Sequence, residues 1–171
     1  MALMSMSERM AAAVACTHGA ECPVSSACAP ARFVPCIDMA RAHAQKLKLC
    51  DTLEAIADDL PSLVDRLQCL SVAGSLVPLL RECHRFEEEA VFPAFLRSSG
   101  NDEIVRRLIA EHLEDDCAAE DLSERLMAHG HGLPIENPEA FGYMLRAFFE
   151  SMRRHIAFER DHIMPVVNDE D

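Results

Sequence analysis

Two histidine–glutamate pairs, His84 with Glu88 and His155 with Glu159, constrain this chain more than any other feature. Spacing of i,i+4 stacks the two side chains of each pair on one face of a helix. Apolar residues flank both pairs at helical spacing, so both face a core rather than water. Two further histidines, His43 and His112, lie in helical runs of the same kind. A carboxylate buried without a partner is strongly unfavourable unless it is neutralised or paired. No lysine or arginine is expected on the same stripes to pair with Glu88 and Glu159. A metal removes the conflict. Imidazole nitrogen suits iron, zinc and copper, and shared carboxylates suit two hard cations held close together. Four histidines and two glutamates supply four terminal and two shared ligands. With an oxygen bridge each ion would be five-coordinate and keep one open position, unlike a closed, four-coordinate structural zinc site.

The surrounding pattern is helical throughout. Ala, Leu, Glu and Arg are abundant, which favours helix, and no period-two strand pattern appears. Helix A is predicted from Pro35 or Ile37 to about Asp58, with His43 one turn before Leu47. A second run, Ser62 to Arg97, is interrupted by Gly74-Ser75 and Pro78. Either one helix kinks there or a short helix precedes a second beginning at Ser75. Ser98-Ser99-Gly100 ends that run. Helix C is capped by Asn101 or Asp102 and ends before Gly130. Helix D is capped by Asn137 with Pro138 at its first position, and stops at Pro165. Short loops make neighbours antiparallel, so the expected fold is all-α, an up-down-up-down four-helix bundle.

The strings around these ligands resemble the hemerythrin-like family of HHE cation-binding bundles. They are His43-Ala-Gln-Lys-Leu47; Glu82-Cys-His84-Arg-Phe-Glu-Glu88-Glu-Ala-Val-Phe-Pro93; Ile109-Ala-Glu-His112-Leu; and Arg154-His155-Ile-Ala-Phe-Glu159-Arg-Asp-His-Ile-Met-Pro165. The resemblance covers residues 37 to 167 and implies a metal site of His43, His84, Glu88, His112, His155 and Glu159. It further implies an oxo-bridged di-iron centre. Oxygen carriers of the family have two histidines four apart on helix C, where this chain has Asp116 after His112. The ligand set is more similar to the di-iron domain of repair-of-iron-centres proteins, which protect or rebuild iron–sulfur proteins after nitric oxide and oxidative damage. By that likeness His43 and His155 would bind one iron, His84 and His112 the other, and Glu88 and Glu159 would bridge. The partners implied are O2, NO and an iron–sulfur acceptor protein. A sensor that signals to a partner and an oxygen store are the alternatives. The repair proteins carry a separate domain with paired cysteines in place of the short segment found here.

Composition narrows the rest. The net charge of −13 excludes ordinary nucleic-acid binding and anionic membrane surfaces, both of which require cationic patches. No stretch of about 20 apolar residues is present to span a bilayer, and cytoplasm is the expected location. A monomer or homodimer is expected. Residues 1 to about 35 read as a flexible arm carrying Cys16, Cys22, Cys28 and, at its edge, Cys36, with residues 36–171 forming the bundle. Their spacing contains no Cys-x-x-Cys, so free or redox-active thiols are expected there rather than a cluster site. Cys50, Cys69, Cys83 and Cys117 lie in helical runs and read as buried free thiols. Glu87 and Glu89 read as surface residues, Asp115 and Asp116 as outer partners of a ligand or solvated, and His162 as a late-turn histidine. Tyr143, Phe148 and Phe149 read as core.

Overall fold

The computed structural model describes residues 35–168. The expected arm, with Cys16, Cys22 and Cys28, lies outside the described residues.

Four long helical rods make the bundle. The first is α1, Pro35–Asp58. The second is α2, Arg66–Phe86, which continues through a π-helical turn, Glu87–Val91, into α3, Phe92–Ser99. The third is α4, Asp102–Gly130, and the fourth is α5, Pro138–His162, followed by the short α6, Met164–Asn168. Local chemistry fixes most of these ends. Asp65 caps α2 by accepting from the backbone N–H groups of Leu67 and Gln68. Asn101 and Asn137 do the same for α4 and α5 through Ile104 and Ala140. Gly100 closes α3 in the left-handed region at φ 64°, where a side chain would be strained.

One expected break did not occur as a break. Pro78 lies inside α2, which runs unbroken through Gly74 and Ser75. A proline ring crowds the carbonyl four residues back, and here that residue is Gly74. The departure from α geometry comes later, where the N–H of Phe92 reaches back to the carbonyl of Glu87. Pro93 follows at once. It has no N–H to offer and its ring crowds the Glu89 carbonyl, so a wider turn accommodates it. At the other end α5 stops at His162, close to the expected boundary, and Pro165 lies in the first turn of the separate short α6.

The packing is layered along the bundle axis. One apolar cluster joins Leu53, Leu76, Leu80, Leu122, Leu145 and Met152 with their neighbours. A second joins Met39, Val91, Phe92, Leu108 and Ile163. Along each rod the polar residues of interest fall between these clusters. His43 lies between Met39 and Leu49, and His84 and Glu87 between Leu80 and Val91. His112 lies between Leu108 and Ala119, and His155 and Glu159 between Met152 and Ile163. Phe148 and Phe149 are core as expected, whereas Tyr143 is 68% exposed. Cys50, Cys69 and Cys83 are buried free thiols, but Cys117 is exposed on α4. Among the described residues, no helix is long and apolar enough to cross a membrane.

Candidate metal centre

The polar layer holds His43, Lys46, His84, Glu87, His112, Asp115, His155 and Glu159, all buried. All four predicted histidines and Glu159 therefore meet at one level. Glu88 does not join them. Its side chain is 39% exposed, and Oε1 accepts from His112 Nδ1 at 2.8 Å. Glu87, expected at the surface, is fully buried instead. The cause is local. Glu87 lies three residues after His84 and opens the wider turn forced by Pro93, so it carries the carboxylate into the layer while Glu88 faces the rim.

Sequence reasoning also missed Lys46, whose side chain has no exposed surface. It lies three residues after His43, so the two share a face of α1; that spacing was the available signal. Its Nζ donates to Glu87 Oε1 at 2.7 Å and stands 3.6 Å from Glu159 Oε2. Burial opposes the charged ammonium, but the two carboxylates and the hydrogen bond outweigh it and raise its pKa above the ordinary lysine value. The stripe expected to lack a cation therefore contains one.

Three imidazoles are oriented in the same way. His84 Nδ1 pairs with Asp116 Oδ1 at 3.0 Å, His112 Nδ1 with Glu88, and His155 Nδ1 with Glu111 Oε2 at 3.0 Å. A carboxylate can only accept, so each Nδ1 donates and each neutral ring presents a bare Nε2 lone pair. Those Nε2 atoms of His84, His112 and His155 are buried without a hydrogen-bond partner, as are Glu87 Oε2 and Glu159 Oε1. Glu87 Oε2 lies 3.3 Å from His112 Nε2, and Glu159 Oε1 lies 3.4 Å from His155 Nε2. The His84 and His112 rings stack with centroids 4.0 Å apart. His43 reaches the layer through Nε2, 2.9 Å from Glu159 Oε2.

Protonation follows these surroundings. Burial drives the His84 pKa down to about 2, helped by the positive charge of its neighbours. Burial also opposes charge on His155, but the negative charge of Glu159 beside Nε2 raises its pKa. Glu159 is held well below the usual carboxylate range despite its burial, chiefly by Lys46.

Converging lone pairs with no donor between them are unfavourable in a core, and a cation between them removes the problem. Glu87, His112, His155 and Glu159 each offer an atom within 4.8 Å of the others, a set able to hold a metal ion. Two nitrogens and two oxygens are donors that iron and other divalent transition metals accept. The carboxylate partners on Nδ1 are the outer supports that metal-ligating histidines normally have. The residues present thus fit a metal. His162, read as a late-turn histidine, is exposed against the Phe158 ring, and Asp116 supports His84 from outside, one of the two roles read for it. The outer partner Glu111 had no signal in the sequence, because its contact with His155 is made only by packing α4 on α5.

No curated protein and no solved structure matches the chain. The hemerythrin HHE cation-binding domain matches residues 38–167, which include every residue of the layer. A four-helix bundle, a histidine from each rod and a match over most of its length lead to one conclusion: the chain belongs to the hemerythrin HHE cation-binding family.

Proposed function

We propose that the chain is a non-haem iron protein that handles nitric oxide, oxygen or labile iron under nitrosative or oxidative stress, with protection or repair of iron–sulfur proteins as its outcome. The observation that carries this reading is the set of five buried, unpartnered donor atoms on His84, His112, His155, Glu87 and Glu159. An iron ion there would supply redox chemistry and affinity for diatomic molecules. The chain's own residues do the rest. Asp116, Glu88 and Glu111 hold the imidazoles in one tautomer, and the two apolar clusters exclude bulk water from above and below. A cleft of about 520 Å³ lined by Arg81, His84, Arg85, Glu88, His112 and Asp116 leads from the surface to the imidazole rims. It suits entry of something small. Oxygen storage is disfavoured, since the residue four after His112 is Asp116 and its carboxylate is engaged by His84.

The experiment is nitric oxide and oxygen uptake by iron-loaded, reduced protein, with a Glu159→Ala protein as the control. Consumption of nitric oxide over many turnovers, lost in the variant, is expected. A stable, reversible oxygen adduct would make the protein a store. Absence of either reaction, with iron-dependent capture of a partner protein, would make it a sensor. The number of ions at the centre turns on Lys46.

A further inference from the structure

We propose that Lys46 takes the place of a second metal ion, so that the centre of this chain binds one divalent ion rather than two. The inference rests on the metal reading above and deepens it.

The two buried carboxylates divide their oxygens. Glu87 turns Oε1 to the Lys46 ammonium at 2.7 Å and leaves Oε2 unpartnered, 3.3 Å from His112 Nε2. Glu159 does the same, with Oε2 3.6 Å from Lys46 and Oε1 unpartnered, 3.4 Å from His155 Nε2. Each carboxylate thus spans a fixed ammonium on one side and an orphaned imidazole nitrogen on the other. In a two-metal centre a bridging carboxylate spans two ions. Here one of those two cationic positions is already filled by the protein.

Charge gives the same answer. Glu87, Glu159 and Asp115 with one ammonium give the layer a net −2, and the imidazoles are neutral as ligands. One divalent ion brings it to neutrality. Two would bring it to +2 in a buried layer, with the ammonium pressed against an ion of like charge. The donor geometry agrees: among the described residues the one group of side chains able to hold an ion is Glu87, His112, His155 and Glu159. His43, which a second ion would need, is engaged with the Lys46 side of Glu159.

The test is metal content after anaerobic loading with ferrous or cobaltous ion, in the full chain and in a Lys46→Met variant, which keeps an unbranched side chain without the charge. Wild type is expected to hold one ion per chain, and the variant two, the second bounded by His43, Glu87 and Glu159. Two ions in wild type, or one in a folded variant, would overturn the role given to Lys46. No ion in either would overturn the metal reading itself, which separates the two failures. Should the variant not fold, Mössbauer and EPR spectra of iron-loaded wild type decide the matter. An isolated, uncoupled iron supports the proposal, and a magnetically coupled pair refutes it.

Discussion

The side chains in the polar layer do different work, though several have the same chemistry. Glu87 and Glu88 are adjacent, yet one is buried against Lys46 and the other supports a histidine from the rim. Their replacements should therefore differ in kind. Glu87→Gln removes a charged donor from the set, and metal binding should be lost in an equilibrium titration. Glu88→Ala leaves that set intact and removes only the acceptor on His112 Nδ1, so affinity should fall about 10- to 100-fold, as for other outer supports. A similar loss in both would contradict the assignment. Stability without metal separates the two as well. Glu87→Ala takes the hydrogen-bonded partner from the buried Lys46 ammonium and leaves it only Glu159 at 3.6 Å, and urea unfolding of metal-free protein should report a loss of up to about 3–5 kcal/mol. Replacing both residues, with Lys46→Met and Glu87→Leu, should recover part of it, because the ammonium is gone and Glu159 keeps its hydrogen-bond partner His43. The four histidines and Glu159 were legible in the sequence because regular helical spacing carried them to one level. Choosing between Glu87 and Glu88 was not, since it depends on a turn whose pitch changes beside Pro93. Lys46 was overlooked for a different reason: lysine is rarely fully buried without a partner, and its partners come from helices distant in sequence.

At the scale of the elements, capping chemistry made the boundaries readable. Asn101, Gly100 and Asn137 act locally, so their roles survive into the folded molecule. Pro78 was not readable in this way, because whether a helix continues through a proline is decided by the packing of the whole rod and not by the local sequence. Two glycines on neighbouring rods allow a comparison. A Cβ built on Gly74 meets nothing within 4 Å, and the residue lies inside α2. Gly74→Ala should stabilise the protein by about 0.5–1 kcal/mol through helix propensity and a less flexible unfolded chain. On Gly130 a Cβ would stand 2.5 Å from Leu70 Cγ and 3.1 Å from the Arg66 carbonyl oxygen. The start of α2 therefore packs directly on the end of α4, and Gly130→Ala should destabilise. Urea midpoints measured side by side should move in opposite directions. A gain at Gly130 would mean that α2 and α4 do not approach as closely as described.

For the molecule as a whole, the layer matters because it interrupts a continuous core. Two apolar clusters each join several rods, and between them lie eight buried polar residues whose donors are incompletely paired in the absence of an ion. Glu87, His112, His155 and Glu159 come from three different rods: the π-helical turn, α4 and α5. An ion held by all four can be bound only when those rods are packed, so it binds the folded chain and not the unfolded one. Linkage then makes affinity visible as stability, with free metal at about 100 times its dissociation constant adding about 2.7 kcal/mol. For a chain of this size that is a rise in midpoint of roughly 5–10 °C. Melting curves with increasing cobaltous or ferrous ion should shift upward by that amount, and the shift should vanish in a Glu87→Gln, Glu159→Gln double variant. Magnesium should give little shift, because a set containing two imidazole nitrogens does not suit that ion. An equal response to magnesium would place the binding on the acidic surface of this −13 chain rather than in the layer.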